Sequence, residues 1–417
     1  MPPDSYRPSP DRTRRQFLTR SGTAVAGSLS VLTAGCLSSL PPLGDDQRYG
    51  RLDAPPASDP TYRKWLPAPS SLDRFDEPYH FVALDSTTRR PDAPEKFVAG
   101  RAHLKASLDY FGIGFENYDR VVSSRFGTVI EASFEPSAVI GTVEDSGYER
   151  TGEYRDFTVF ARSDTVRRVA VGDDAIVWTS AYRHAAPNLD AIIDAGTGHR
   201  LRYHEENRAF DRLITVAGSN PYLGVNTAIH DPTGRPVLMA DAFRFDEDAA
   251  YQVVFYYYRQ PDNVATREAL ERGLREEDYR FTSEAETFDV AVDERLATVE
   301  TRIPLDDTDE LPPEYDLPQV TWGLTHEDEP ERATVRHEAG ESVPANRLFY
   351  DLEYQSAPGR IDKHPLWPEQ RSIERGSTAT VDLENQPDAR GLNLVYSTGD
   401  VRFHVLFGAD LQRTTDD

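Results

Sequence analysis

Cysteine is all but absent from this chain: one residue, Cys36, in 417. A lone thiol closes no intramolecular disulfide and supplies no Cys pair for a zinc site or a redox dithiol. Lysine is nearly missing too, confined to Lys64, Lys96, Lys105 and Lys363. Against 46 basic residues stand 71 acidic ones, a formal net charge of −25. Such a chain lacks the basic surface that phosphate backbones require, which excludes nucleic acid as a partner. After the first 35 residues no run of about twenty continuous apolar residues occurs, so the sequence offers no second membrane anchor.

The motifs of common catalysis are missing as well. There is no Gly-x-Ser-x-Gly, no His-Glu-x-x-His, no phosphate-cradling glycine loop and no cysteine placed as a nucleophile. Ten histidines are scattered, and only His199 and His204 lie close in a helical region. Their spacing of five puts them off one helical face, which predicts no metal pair. Asp173-Asp174 reads as a hairpin turn, where acids bond the local backbone, in preference to a catalytic pair. The acids of Leu305–Pro313 lack the glycine and distal glutamate of a calcium loop. In Phe255-Tyr256-Tyr257-Tyr258 alternation sends rings to both sheet faces, so half are expected in the core. The remainder could present an aromatic strip to a glycan or partner. These readings give no catalytic residue, no metal ligand and no cofactor.

What is present is an address. Arg14-Arg15-Gln16-Phe17-Leu18 precedes a weakly apolar stretch from Gly22 to Ala34 that ends in Ala34-Gly35-Cys36. Twin arginines, a short small-sided apolar run and a small-residue ending match a Tat export signal over residues 1–35. Cys36 then falls where a lipobox cysteine accepts lipid and becomes the mature N-terminus. Thr33 departs from the larger aliphatic residue usual in that motif, which keeps cleavage without lipidation as the alternative. Each buried lipid methylene contributes about 0.8 kcal/mol, and two chains make a stable anchor. Lipidation would therefore place the protein on the extracellular face of the cytoplasmic membrane, held to lipid through Cys36.

Five arginines and two acids precede Cys36, so the rest of the chain carries about −28. Acid-rich and lysine-poor composition with a foldable 38 % of hydrophobic residues is the pattern of adaptation to molar salt. Short carboxylates hold hydration there while salt screens their mutual repulsion.

Residues 36–76 are dense in proline without an apolar period, which predicts an extended tether that can dock at Trp65-Leu66. An α+β body over 77–305 follows. Strand patterns occur at Tyr79–Leu84 and Gly127–Phe134, and helical ones at Ala93–Phe111 and Glu135–Ser146. A hairpin turns at Gly172-Asp173-Asp174. Helices are expected at Asn188–Ala195 and His199–Ala217. A second pass of similar order places a strand at Tyr251–Tyr258, a helix at Thr266–Glu277 and a hairpin at Phe288–Ile303. Both helices are followed by one tag, Tyr148/Thr151/Gly152/Glu153 and Tyr279/Thr282/Ser283/Glu284, which brings Val139 and Val143 onto Leu270 and Leu274. The expectation is two strand–helix–strand repeats whose antiparallel sheets carry helices on one side. A charged linker spans 306–317, and six or seven short strands over 318–412 predict an Ig-like β-sandwich.

Ala333–Leu348, with Ala339-Gly340-Glu341 at its centre, resembles a segment of the β-sandwich domain of salt-loving archaeal type IV pilins. Trp367, Ile373–Val381 and Leu394-Val395-Tyr396 carry the same resemblance. Those pilins have two glycines and an aspartate where Ala339-Gly340-Glu341 stands, and they begin with a filament-packing helix. The match covers about ninety residues, so it implies a shared extracellular sandwich and not a pilin. The body is similar, more loosely, to Tat-exported lipoproteins of halophilic archaea. The resulting expectation is a non-catalytic cell-surface lipoprotein that contacts envelope proteins or glycans. A transporter's solute-binding lipoprotein is the second reading and an exported hydrolase the third.

Overall fold

A computed structural model describes residues 52–72, 79–87, 89–180, 188–227, 236–275, 281–282, 285, 287–329, 331–354, 362–386, 388–399 and 403–411. In the body, strands β1 (His80–Leu84), β2 (Arg120–Ser124) and β3 (Gly127–Glu131) are followed by β4 (Glu149–Tyr154), β5 (Phe157–Ala161), β6 (Arg167–Val171) and β7 (Ala175–Ser180). Then come β8 (Tyr222–Asn226), β9 (Leu238–Phe245), β10 (Ala249–Tyr257), β11 (Thr287–Asp293) and β12 (Leu296–Pro304). The helices between them are α1 (Glu95–Ser107), α2 (Pro136–Glu144), α3 (Leu189–Gly196), α4 (Tyr203–Glu206), α5 (Arg208–Ala217) and α6 (Arg267–Arg275).

All twelve strands join one antiparallel sheet in the order β11-β12-β10-β9-β8-β1-β2-β3-β7-β6-β5-β4. Two halves of five and seven strands meet at the β1–β8 pair, with His80 opposite Asn226 and Ala83 opposite Leu223. Read outward from that pair, each half shows a three-strand meander followed by a hairpin whose second strand returns beside the third: β1-β2-β3-β7-β6 on one side, β8-β9-β10-β12-β11 on the other. The first half adds β5 and β4 at its edge.

Helices cover both faces of this sheet, not one as the sequence pattern suggested. On one face α3 and α5 bury Leu189, Ile193, Phe210, Leu213 and Ile214 against Phe81, Val177, Val225 and Phe255. On the other, Leu104 of α1 and Val139 and Val143 of α2 pack on Val121, Ile130 and Phe160, while Leu270 of α6 packs beside Val254 and Tyr256. The physical reason lies in the strands: all nine residues of β10 are buried. A sheet apolar on both faces must be covered on both.

The C-terminal part consists of β13 (Val320–Asp328), β14 (Glu331–Gly340), β15 (Val343–Pro344), β16 (Leu348–Tyr354), β17 (His364–Pro365), β18 (Ser372–Ile373), β19 (Thr378–Asp382), β20 (Ala389–Ser397) and β21 (Phe403–Asp410). They form antiparallel sheets of three, two and four strands. Trp322, Val335, Leu348, Leu394 and Phe407 share one apolar cluster with Phe97, Val98 and Ala102 of α1. Helix α1 is thus core to both parts. The linker is tied down as well: Tyr315 and Leu317 are buried in that cluster, and Asp306 N donates to Asp92 O at 2.9 Å.

The expected tether is different from residue 52 on. Tyr62, Trp65, Leu66 and Ala68 are buried, and Trp65 and Leu66 belong to the α3/α5 core. Aromatic and aliphatic side chains gain more from that burial than a solvated strand would from chain entropy.

Candidate functional site: the docked arm

The arm of residues 52–72 crosses the α3/α5 face between two antiparallel bridges, Ser58 with Ser219 and Pro67 with Arg202. Its 3-10 turn Thr61–Trp65 drives Tyr62 and Trp65 inward. Trp65 Nε1 donates to Glu131 Oε1 at 2.9 Å, and Lys64 Nζ lies 2.6 Å from the same oxygen. Burial opposes ionisation of Glu131, but the hydrogen bonds from Lys64 and Trp65 win and hold its carboxyl below the ordinary value. The Trp65 ring lies where Gly196 has no side chain; a Cβ there would sit 1.9 Å from Cζ3. At the other bridge Gly218 ends α5 with φ +69°, and a Cβ would meet that of Ala57 at 2.5 Å. Glycine serves both demands, left-handed backbone and close approach.

Between arm and α5 opens a largely polar groove of about 470 Å³, lined by Ser58, Asp59, Thr61, Arg63, Val216 and Arg244 among others. Arg244 ties the site together. It donates to Asn220 Oδ1 at 2.9 Å, Pro55 O at 3.2 Å and Ala217 O at 3.2 Å. The last bond satisfies a helix-terminal carbonyl and opposes the negative end of α5. Burial pulls its guanidinium below the usual value, partly offset by the charge of Glu300. Arg63 pairs with Asp211 at 3.5 Å, and burial followed by Arg63 lowers the nearby His204. The groove offers donors, acceptors and one exposed large apolar side chain, Val216. The charges in it, Asp59, Arg63 and Arg244, are of both signs.

A second polar cluster joins the large sheet to the C-terminal part. Arg162 donates to Asp164, Ser146 O and Glu338, the last at 2.5 Å across 176 residues of sequence. Arg167 and Asp109, both buried, meet at 2.8 Å, and Tyr148 Oη donates to Asp109 at 2.6 Å. Gln319 Nε2 reaches Asp109 O at 2.9 Å. His103 of α1 meets His404 of β21 at 3.1 Å, and burial, then His404, lowers His103 to about 3. These groups neutralise one another and fasten two parts of the fold.

The sequence-based candidates fare as follows. Cys36, Arg14 and Arg15 lie outside the described residues. So does most of the second tag, including Tyr279, Ser283 and Glu284. Asp173 and Asp174 form the β6–β7 turn, where Asp174 O accepts from Ala132 N at 3.3 Å. His199 Nδ1 sits 3.0 Å from Thr197 Oγ1, and His204 lies in α4. Among the described residues no three His, Cys, Asp or Glu side chains gather as a metal site. All four rings of Phe255–Tyr258 are buried, split between the two sheet faces, so no strip faces solvent. No helix among the described residues is long and apolar enough to cross a membrane. The groove and the ionic clusters escaped sequence reading, because their members come from distant segments. Trp65-Leu66 was the one local signal.

No family model matches the chain, and no curated protein matches it. Among solved structures, two crystal forms of TP0453 are similar at 9 % identity, each covering 60 % of this chain and 94 % or 95 % of the other. Their TM-scores are 0.36 and 0.34, too low to carry an argument about fold or function.

Proposed function

We propose that this is a non-catalytic cell-surface lipoprotein of a high-salt envelope, anchored through Cys36 and used for contact with envelope proteins or glycans. The observation that supports it most is the arm. The polypeptide that leads back to Cys36 leaves the body at a fixed place on its surface, where Ser58 bridges Ser219 and Pro55 O accepts from Arg244. An anchor joined there tethers the body from one known point, as an interaction scaffold can use.

The transporter-linked reading expects parallel βα alternation and two lobes around a cleft. One antiparallel sheet of twelve strands, covered on both faces, favours the scaffold over that plan. Two finer architectural readings belong to the same proposal. The mirrored strand order around β1–β8 supports a duplicated body. The C-terminal sheets sharing one apolar cluster support an Ig-like sandwich.

Membrane fractionation at molar salt tests the anchor: the native chain is expected in membranes and Cys36→Ser in the medium. Cross-linking and recovery from native envelope tests the partner role, and recovery of neither protein nor glycan would count against it.

A further inference from the structure

Asp351 of β16 differs from the other buried acids. Asp109, Asp194 and Asp241 each meet a cation: Arg167 at 2.8 Å, Arg155 at 3.1 Å and Lys96 at 2.5 Å. Asp351 is 3 % exposed and meets no basic side chain among the described residues. Its hydrogen bonds come from neutral groups, Asp362 N to Oδ1 at 2.7 Å and Asn393 Nδ2 to Oδ2 at 3.4 Å. Burial pushes its carboxyl up, and those two bonds oppose the push only in part. A buried anion without a counter-charge is costly to keep.

Its surroundings are oxygen-rich. Leu348 and Leu352 turn into the apolar cluster, so alternation sends Asp351 to the other face of the four-stranded sheet. Directly opposite stands Asn393 of β20, and beyond it Gly408 of β21, which brings no side chain. Asn393 is 8 % exposed, and its Oδ1 has no hydrogen-bond partner. Its 3.4 Å bond to Asp351 is long beside the about 2.7–2.9 Å of a charge-assisted one, so amide and carboxylate hold each other loosely. Water would satisfy the amide and leave the charge, whereas a cation answers both.

The neighbouring charges do not supply it. Asp362 adds a second carboxylate, 62 % exposed, whose charge bears on Asp351. Lys363 turns its ammonium over the Phe349 and Phe403 rings, 5.7 Å from each. His364 stacks on Tyr350 and lies 3.9 Å from Asp362. One row along the same face, on either side of Gly391, stand Glu353 and Asp410, which have partners of their own.

We propose that Asp351 and Asn393 Oδ1, with the carboxylate of Asp362, hold a calcium ion on the outer face of the C-terminal four-stranded sheet. The donors are oxygens, which suit a hard cation, and two carboxylates balance a divalent one. Ligand oxygens of one calcium ion lie within about 5 Å of each other, a span that the Asp351–Asn393 contact already meets. Only two of the three side chains are acids, and the exposed side of Asp362 lets water complete the shell. Such a partly protein-built shell belongs with the weak extracellular class, half-saturated at about 10⁻⁴–10⁻³ M.

Urea unfolding of the intact chain, freed of divalent ions by chelator and held in constant molar potassium chloride, tests the site. Calcium at about 10 mM is expected to raise the folding equilibrium constant about tenfold or more. Magnesium should do less, because its octahedral shell tolerates an irregular donor set poorly. Asp351→Asn keeps the shape without the charge and should cut the calcium response below about twofold. Asn393→Ala removes the amide oxygen and should weaken the response as well, which keeps the test open if the first variant does not fold. Asp309→Asn, at an exposed linker acid, should respond like the native chain and so separates the site from general screening of an acidic protein. No calcium response in the native chain, or an equal one in Asp351→Asn, would overturn the site. A native chain that ignores calcium and gains stability over Asp351→Asn as pH falls would show that the carboxyl carries a proton instead.

Discussion

Replacing Trp65 by alanine should loosen the arm and destabilise the whole α3/α5 face. The ring is 5 % exposed and sits in the gap left by Gly196, so its loss opens a cavity that neighbouring backbone cannot easily fill. Large-to-small changes of a buried tryptophan cost about 3–5 kcal/mol. The lost hydrogen bond to the Glu131 carboxylate adds little beyond that, because Lys64 and Arg120 continue to satisfy the acid. A net loss of about 4 kcal/mol is a large share of a typical 5–15 kcal/mol stability. Trp65→Phe keeps most of the apolar volume and loses the indole bond, so it should cost about 1–2 kcal/mol. Urea unfolding in constant molar potassium chloride reads both, and limited proteolysis near residue 60 reads local release of the arm. A loss below about 1 kcal/mol for the alanine variant would refute the reasoning, because a core residue of this size cannot be that cheap to remove.

Gly218→Ala should destabilise the same region by more than about 1 kcal/mol in urea unfolding, since its backbone is left-handed and a Cβ meets Ala57. Arg167→Ala strands the Asp109 carboxylate in the interface and should cost about 3–5 kcal/mol, whereas Arg167→Met with Asp109→Asn should recover part of that loss. His103 has its folded pKa lowered to about 3 from 6.5, so the unfolded state binds the extra proton as pH falls through that window. Stability should therefore decline below pH 6.5 by up to about 1.4 kcal/mol per pH unit from this group, and His103→Gln should remove that slope in pH-resolved unfolding. Asp164, held below its ordinary value by Arg162 against the effect of burial, stabilises above pH 3.8 and loses that contribution as pH drops through its folded pKa. Asp164→Asn should flatten acid unfolding there. Dialysis to tens of millimolar salt should loosen the fold of this −25 chain, and an unchanged circular dichroism spectrum would contradict the salt-adapted reading.

Local pattern made much of the α+β body legible. Helical spacing in Phe97, Val98, Leu104 and in Val139, Val143 marked α1 and α2, and the Gly172-Asp173-Asp174 turn marked β6–β7. Strand β4 was not visible as a strand, because an exposed edge sequence of Glu, Arg, Thr and Gly shows no apolar alternation. Residues 52–72 read as solvated tether for a similar reason: 3-10 turns and proline-rich extended chain have no period, even when Tyr62, Trp65 and Leu66 are buried. The two-faced sheet was misjudged because continuous apolar runs, as in β10, say that a strand is buried and not what covers it. Of the candidate surface, the sequence announced Trp65-Leu66; Arg244 and Val216 gained meaning only when the arm brought Ser58 to Ser219.

The sharing of α1 between the two parts has a consequence for how the chain comes into being. His103 waits for His404, 301 residues later, and Phe97 and Ala102 for Trp322 and Phe407. Until β21 leaves the ribosome, one flank of α1 stays bare. Contacts of such separation slow the search for the native state and prolong the life of partly formed chains. Completion of α1's packing thus waits on the far end of the chain, and a chain cut short between α1 and β21 would carry an unfinished core.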